Sequence, residues 1–227
     1  MIQDDPILAI WSNTINRAHV FSVMPDGCRD FIINGERGKP KRFLLSPIMS
    51  TPERVFAKKG EMFIGIRLKP GAEISADILG KFPQPDSLES LTELAYAAAS
   101  ISRDASDMMQ CLAMAASPAT AASDLGVSLR TLQRHTMQKT GRSPDFWRRL
   151  VRARKAVRCI LSGVDLQEAA LACHFSDQAH MTRELKSWFS LTPGAVAASQ
   201  GDKQHPAWSI CHCGYDTPLT GEQISTR

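Results

Sequence analysis

Two kinds of apolar spacing divide the chain. From His19 to Gly71 the apolar residues come in short runs cut by turn chemistry. Val20-Phe21-Ser22-Val23-Met24 stops at Pro25-Asp26-Gly27, Asp30-Phe31-Ile32-Ile33 at Asn34-Gly35, and Arg42-Phe43-Leu44-Leu45 at Ser46-Pro47. Glu61-Met62-Phe63-Ile64-Gly65-Ile66-Arg67-Leu68 stops at Lys69-Pro70-Gly71. Such punctuated runs predict a small, mostly antiparallel β domain. Met1 to Asn16 offers only an apolar patch at Ile7 to Trp11. After Phe82-Pro83-Gln84-Pro85-Asp86, a linker extended by its prolines, apolar residues recur at threes and fours. Asp86 or Ser87 is placed to cap a helix bearing Leu88, Leu91, Leu94, Ala95 and Ala98. Asp104 to Ala116 predicts another, whose Met108, Met109, Leu112 and Met114 read as core rather than as a ligand-binding stripe.

Further on, one short device occurs twice. In Ala121-Ala122-Ser123-Asp124-Leu125-Gly126-Val127-Ser128-Leu129-Arg130-Thr131-Leu132 an alanine-rich turn of helix reaches a glycine able to take positive φ, and a serine then opens a second helix. This pattern predicts a helix-turn-helix. Leu125 and Val127 would seal the corner, with Leu129, Leu132 and Met137 facing inward and Arg130, Thr131, Gln133 and Arg134 outward. The second copy runs from Gln167 to Arg183, its corner at Cys173-His174-Phe175 and its cap at Ser176 or Asp177. There Gln178, Ala179, His180, Thr182 and Arg183 would face outward, with Met181 and Leu185 inward. Between the copies, Pro144 to Leu161 suits one connecting helix with proline in its first turn and Gly163 after its end. Trp147 and Trp188 share faces with leucine or phenylalanine and read as core.

The fold class is therefore α+β. A small, mostly antiparallel β domain at 1–82, for sensing or dimerisation, precedes a linker and helix at 83–103. An all-α domain at 104–198 holds two helix-turn-helix units joined by a long helix, and a poorly ordered tail is expected at 199–227.

Charge sharpens this picture through its distribution. The chain carries a formal +4. Ten basic residues between Ser128 and Arg158 (Arg130, Arg134, Lys139, Arg142, Arg148, Arg149, Arg152, Arg154, Lys155 and Arg158) face one acid, Asp145, so this stretch holds +9 and the remainder −5. A cationic segment on an anionic remainder fits either a solvated helix face or a polyanion site. The doubled helix-turn-helix favours DNA, because arginine and glutamine match guanine and adenine edges in the major groove. Ser143 and Thr192 each precede a proline at a helix start, where an anion is attracted, and are candidates for phosphate contact as well as for N-caps. Lys139 and Arg149 are likewise candidates to meet phosphate.

At these residues the chain resembles the AraC/XylS transcription regulators. The landmarks are Ser128-Leu129-Arg130-Thr131-Leu132-Gln133-Arg134, Gly141-Arg142-Ser143-Pro144, Arg154-Lys155-Ala156, Phe175-Ser176-Asp177-Gln178-Ala179-His180-Met181-Thr182-Arg183 and Leu191-Thr192-Pro193-Gly194, in order over about Met108 to Val196. The resemblance implies two recognition helices in successive major grooves, about 34 Å apart on one face of the duplex. It puts Arg130, Gln133, Arg134, Gln178, His180, Thr182 and Arg183 near bases or phosphates. Three departures stand out: His174 and Ser190 occupy positions usually held by glycine, and His135 one where a core phenylalanine is common. His174 is expected to enter a left-handed conformation at some cost.

Met24-Pro25-Asp26-Gly27-Cys28-Arg29-Asp30-Phe31 and Arg67-Leu68-Lys69-Pro70-Gly71 resemble the β-rich N-terminal domain of one subset of that family. Double-stranded DNA is thus the implied partner, with RNA polymerase, a small-molecule effector in the N-terminal domain and a second copy of the chain as further partners. About eighty residues are too few for a full barrel with an arm, so no enclosed pocket is expected there. The histidine set of a metal-binding cupin is missing too, since His19 stands alone.

Other chemistry finds little footing. No Gly-rich phosphate loop, Gly-x-Ser-x-Gly or His-Glu-x-x-His occurs, and no cofactor or catalytic residue is expected. Two rivals remain: a DNA-repair enzyme carrying the same module, which would need a cysteine nucleophile in a dedicated motif, and an interaction adaptor that has lost DNA binding. The six cysteines are scattered, and Cys28 beside its turn reads as a packing residue rather than a reactive thiol. Cys211-His212-Cys213 lacks the spacing of a structural zinc site. Neither a basic-then-apolar leader nor an apolar run near eighteen residues occurs, so a cytoplasmic, nucleoid-associated protein with no membrane contact is expected.

Overall fold

A computed structural model describes residues 3–39, 41–203 and 205–212. In order come β1 (Gln3–Asp4), β2 (Ile7–Thr14), β3 (His19–Val23), β4 (Arg29–Glu36), β5 (Arg42–Leu45), β6 (Glu53–Ala57), β7 (Glu61–Leu68) and β8 (Glu73–Ile74). Next are α1 (Ala76–Lys81), α2 (Leu88–Ala98), β9 (Ala99–Ser102) and α3 (Arg103–Met114). The remaining helices are α4 (Pro118–Asp124), α5 (Leu129–Thr140), α6 (Pro144–Leu161), α7 (Leu166–Ala172), α8 (Gln178–Phe189), α9 (Pro193–Ala198) and α10 (Pro206–His212). Among the described residues no helix is long and apolar enough to cross a membrane.

The main sheet has the order β2-β7-β4-β5, antiparallel throughout. Strand alternation puts Phe31, Ile33, Ile66 and Leu68 on one face, where Leu91, Leu94, Ala95 and Ala98 of α2 close over them. β3 and β6 form a separate antiparallel ribbon. Residues 99–102, expected as part of a linker and helix, instead form β9, which pairs with both β1 and β8. The start of the described chain is thereby stitched to the threshold of the helical region. Ser75, Ser87, Ser102, Ser117, Ser128, Ser143, Asp165, Asp177 and Thr192 each accept a backbone N–H from the helix they open. Each cap contributes about 1 kcal/mol and fixes where its helix begins.

The β and helical regions meet at the turn between β3 and β4. Met24 enters the same core as Leu150, Ala153 and Val157 of α6. Gly27, at φ 83°, lies so close to α6 that a Cβ there would come within 2.7 Å of the Trp147 ring and 3.3 Å of Leu150. Asp26 and Asp30 both hold Arg67, at 3.0 and 3.1 Å, and the Trp11 indole N–H donates to Asp30 at 2.8 Å. Arg154 of α6 is fully buried within electrostatic reach of Asp26. Burial raises the Asp26 carboxyl, against the downward pull of Arg67 and Arg154. Cys28 is buried in the core, and burial, and then Asp26, push its thiol well up. Two polar ties complete the joint: the Lys139 ammonium pairs with Glu73, and the Arg142 guanidinium donates to the Ile48 carbonyl at 2.8 Å.

Residues 206–212 depart from the expected loose tail. They form α10, which packs on α6 and buries Ala207 and Ile210 completely. The side chains of Cys211, His212 and Cys213 lie outside the described residues.

Gly27→Ala should destabilise the chain by about 2 to 5 kcal/mol, from a left-handed conformation plus overlap with Trp147. Gly38→Ala, at φ 77° with open space around it, should cost only the first of these, about 1 to 2 kcal/mol. Urea unfolding of the two variants separates the terms, and equal losses would refute the close packing of the turn on α6.

Candidate nucleic-acid interface

The two helix-turn-helix units share one backbone device at atomic level. In the first, Leu125 N–H donates to Ala121, Gly126 to Ser123 and Val127 to Ala122; in the second, Cys173 donates to Ala169, His174 to Leu171 and Phe175 to Ala170. Gly126 takes φ 66°, and His174 fills the matching place at φ 57°. Likewise Gly141 ends α5 at φ 68° and Ser190 ends α8 at φ 55°. Both departures from glycine thus adopt the left-handed backbone that their positions impose.

The helices that follow present the expected faces. On α5, Arg130, Gln133 and Arg134 are exposed, and Thr131 is half-buried with its hydroxyl 2.9 Å from that of Ser128. On α8, Gln178, Ala179 and Arg183 are exposed. His180 sets its ring edge-on to Phe175, with Nδ1 3.0 Å from the Ser176 hydroxyl. The Thr182 hydroxyl donates back to the Gln178 carbonyl at 2.8 Å. The cap is Asp177 rather than Ser176; the His180 backbone N–H lowers its carboxyl further. Ser143 and Thr192 accept from Phe146 and Ala195, so both hydroxyls act as N-caps.

In the first unit the inward face is narrower than expected. Leu132 is buried, but Leu129 is 40% exposed, Met137 51% and Val127 38%. The reason is that α5 meets its neighbours through a narrow seam: Leu132 and Thr136, whose hydroxyl donates to the Leu132 carbonyl at 2.8 Å. His135 lies beside that seam and is exposed. In the second unit Met181 and Leu185 are buried as expected, and Trp147 and Trp188 both lie in the core.

The basic segment is differently used than its charge count implied. Arg148 donates to the Ala115 and Ala116 carbonyls and Lys155 to that of Ala113, satisfying the C-terminal end of α3, whose last carbonyls have no partner in their own helix. Arg142 and Lys139 hold the β region. Arg149 grips Glu184 of α8 through two bonds of 3.1 and 2.8 Å, and Arg152 reaches the same carboxylate at 3.8 Å while lying 4.6 Å over the Phe175 ring. Of the ten basic residues, Arg130 and Arg134 alone make no hydrogen bond or ion pair among the described residues. Both stand on the outer face of α5.

Glu184 is the functional residue that sequence reading missed. Its signal was legible in principle: a single acid on the Met181–Leu185–Trp188 face of one helix, opposite an arginine-rich neighbour. Burial works against its charge, but the Arg149 hydrogen bonds and the charges of Arg149 and Arg152 hold the carboxyl below the usual range. This ion pair fixes how α8 rolls on α6.

Residues 121–199 match the model of a helix-turn-helix domain. Among solved structures, the chain is similar to a transcriptional regulator with an AraC-type DNA-binding domain from Chromobacterium violaceum, at 26% identity over 42% of this chain and 86% of that one, TM-score 0.37. It is similar also to the C-terminal domain of AraT, a response regulator from Geobacillus stearothermophilus, at 20% identity over 43% and 86%, TM-score 0.40. ToxT from Vibrio cholerae O395 aligns over 84% of this chain and 96% of its own, at 9% identity and TM-score 0.43. No curated protein matches the chain.

Glu184→Ala should destabilise the second unit by about 1 to 3 kcal/mol, less than for a fully buried pair because Arg149 is 42% exposed. A carboxyl depressed in the folded state stabilises above its unfolded value of about 4.3 and loses that contribution as pH falls through the folded value. Unfolding measured from pH 6 down to 3 should show this acid-side loss in the parent and a shallower slope in Glu184→Ala; identical slopes would contradict the assignment.

Proposed function

We propose, from the premise that residues 121–199 match the model of a helix-turn-helix domain, that the chain is a sequence-specific DNA-binding transcription regulator of the AraC type. Helices α5 and α8 enter successive major grooves, and α6 sets their separation. Arg130, Gln133 and Arg134 read one half-site; Gln178, His180 and Arg183 read the other, with Thr131 and Thr182 at the margins. The observation that carries this reading is that the two exposed arginines of the basic segment with no internal partner both stand on the outer face of the first recognition helix. Arg183 occupies the corresponding face of the second.

Ser143 and Thr192 sit at the starts of α6 and α9 with their hydroxyls turned to capping, so a phosphate there would be met by backbone N–H groups as well. Lys139 and Arg149 are assigned to positioning rather than to phosphate, since each already holds a carboxylate. The exposed Val127, in the turn before α5, and Leu129, its first residue, suit apolar contact with a thymine methyl.

A second reading concerns an effector. A cavity of about 380 Å³ lies at the joint, lined by Arg29, Lys69, Gly71 and Ala72 from the β region and by Gln138 and Thr140 of α5. A small molecule lodged there would touch the end of a recognition helix and the β region at once. It lies between the regions, not inside the small β domain.

Arg134→Ala and Arg183→Ala should each weaken binding to the cognate operator by about 1 to 3 kcal/mol while changing affinity for random DNA far less. Fluorescence anisotropy on both DNAs measures this, and equal losses on the two would argue against base reading. For the effector, a metabolite panel screened by thermal shift should yield a compound whose stabilisation disappears in Ala72→Trp, which fills the cavity; a response that survives the substitution places the binding elsewhere.

A further inference from the structure

The second helix-turn-helix unit contains a chemical feature that DNA recognition does not use. Cys159 on α6 and Cys173, the C-cap of α7, are free thiols fourteen positions apart in sequence, with Sγ atoms 3.8 Å apart. That separation is direct sulfur–sulfur contact. Cys159 is half-buried and therefore reachable from solvent, whereas Cys173 is buried beneath it. The pair spans a sensitive place: Cys173 immediately precedes His174, whose left-handed backbone turns the chain into Phe175 and α8.

We propose that Cys159 and Cys173 form a redox-sensitive pair, which closes to a disulfide under hydroperoxide and weakens engagement of DNA by α8. The DNA part rests on the functional reading above; the disulfide does not. The accessible Cys159 thiolate attacks the peroxide. An S–O bond forms, the O–O bond breaks, sulfur is oxidised and the peroxide reduced, giving a sulfenic acid and hydroxide. The Cys173 sulfur then attacks the Cys159 sulfur; an S–S bond forms, the S–O bond breaks, and hydroxyl leaves with the Cys173 proton as water. In sum, two thiols and one peroxide give a disulfide and two waters.

The order of attack follows from the surroundings. Burial, and next the neighbouring Cys159, push the Cys173 thiol up to about 12, against the pull of Lys155 and Arg158. Cys173 is thus a poor first nucleophile and is placed to resolve an oxidised neighbour in contact with it. A disulfide needs its sulfurs about 2.05 Å apart, so α6 at Cys159 and the α7 cap at Cys173 must between them yield the remaining roughly 1.8 Å. The α7 corner is drawn toward α6 just where Arg152 stacks on Phe175 and, with Arg149, holds Glu184. The orientation of α8 is determined by those contacts, so the closure reaches the reading face.

The test uses the full chain treated with hydrogen peroxide and then with N-ethylmaleimide. Trypsin leaves both cysteines in one peptide, Cys159 to Arg183. The expected result is loss of two hydrogens from that peptide with no maleimide uptake, reversed by dithiothreitol. The bridge should persist in the C211S/C213S double variant and be abolished in C159A or C173A. Oxidised protein should bind the operator about tenfold more weakly, recover on reduction, and lose this response in C173A. Sulfinic or sulfonic acid at Cys159 without a bridge, a bridge to Cys211 or Cys213, or a bridge that leaves operator affinity unchanged would each overturn the proposal. Failure of the reduced protein to bind DNA would count against the functional reading alone, since the peptide mass still decides whether the bridge forms.

Discussion

Helix α6 has to satisfy several bodies at once, and that constraint governs the whole arrangement. Trp147, Leu150, Val151, Ala153, Arg154, Ala156, Val157 and Ile160 are all buried along it, so its apolar residues wrap most of its circumference instead of forming a single stripe. One side takes the first unit through Trp147, another the second through Leu150 and Val157, and a third receives the β3–β4 turn. At about 27 Å for its 18 residues, it is also the ruler between the two corners. A helix packed all round cannot bend or roll without disturbing several interfaces, which is the physical meaning of a rigid connector here.

Its charges obey the same constraint. A helix buried on many sides can carry arginines only where partners wait for them, and the partners come from elsewhere in the chain: the spent end of α3 for Arg148, the Glu184 carboxylate for Arg149 and Arg152, and the charge of Asp26 for Arg154. The net positive charge of this segment thus acts mainly as adhesive between elements, while Arg130 and Arg134 stay exposed on the outer face of α5. The Asp26–Arg67–Asp30 group makes the β3–β4 turn a shaped wedge, because two buried acids sharing one half-buried arginine of another element tolerate little displacement.

Several parts of this arrangement were legible in the amino-acid order, for identifiable reasons. Turn chemistry at Pro25-Asp26-Gly27 marks the end of β3, and small caps such as Ser128 and Thr192 mark helix starts, whereas β4 runs on through the expected stop at Asn34-Gly35 to Glu36 because β7 pairs with it there. The repeated corner was readable even where His174 replaces glycine, since the surrounding spacing forces the conformation. What could not be read depended on distant partners. β9 exists because β1 and β8 flank it; α10 is held through Ala207 and Ile210, both fully buried against α6. Lys139 and Arg149 looked like free cations because Glu73 and Glu184 lie far from them in sequence. Leu129 and Met137 looked internal because a helix face says nothing about how wide the seam it meets will be.

The two units differ in one respect that bears on their behaviour in solution. At both left-handed positions the first has glycine, where the second has His174 and Ser190, and each side-chain-bearing residue stores about 1 kcal/mol of backbone strain. Opening the second corner therefore releases tension that opening the first does not, and amide exchange should be faster there despite the larger core beneath it. The pair is thus a firm corner and a compliant one, the second keeping its left-handed turns only while the core around it stays closed.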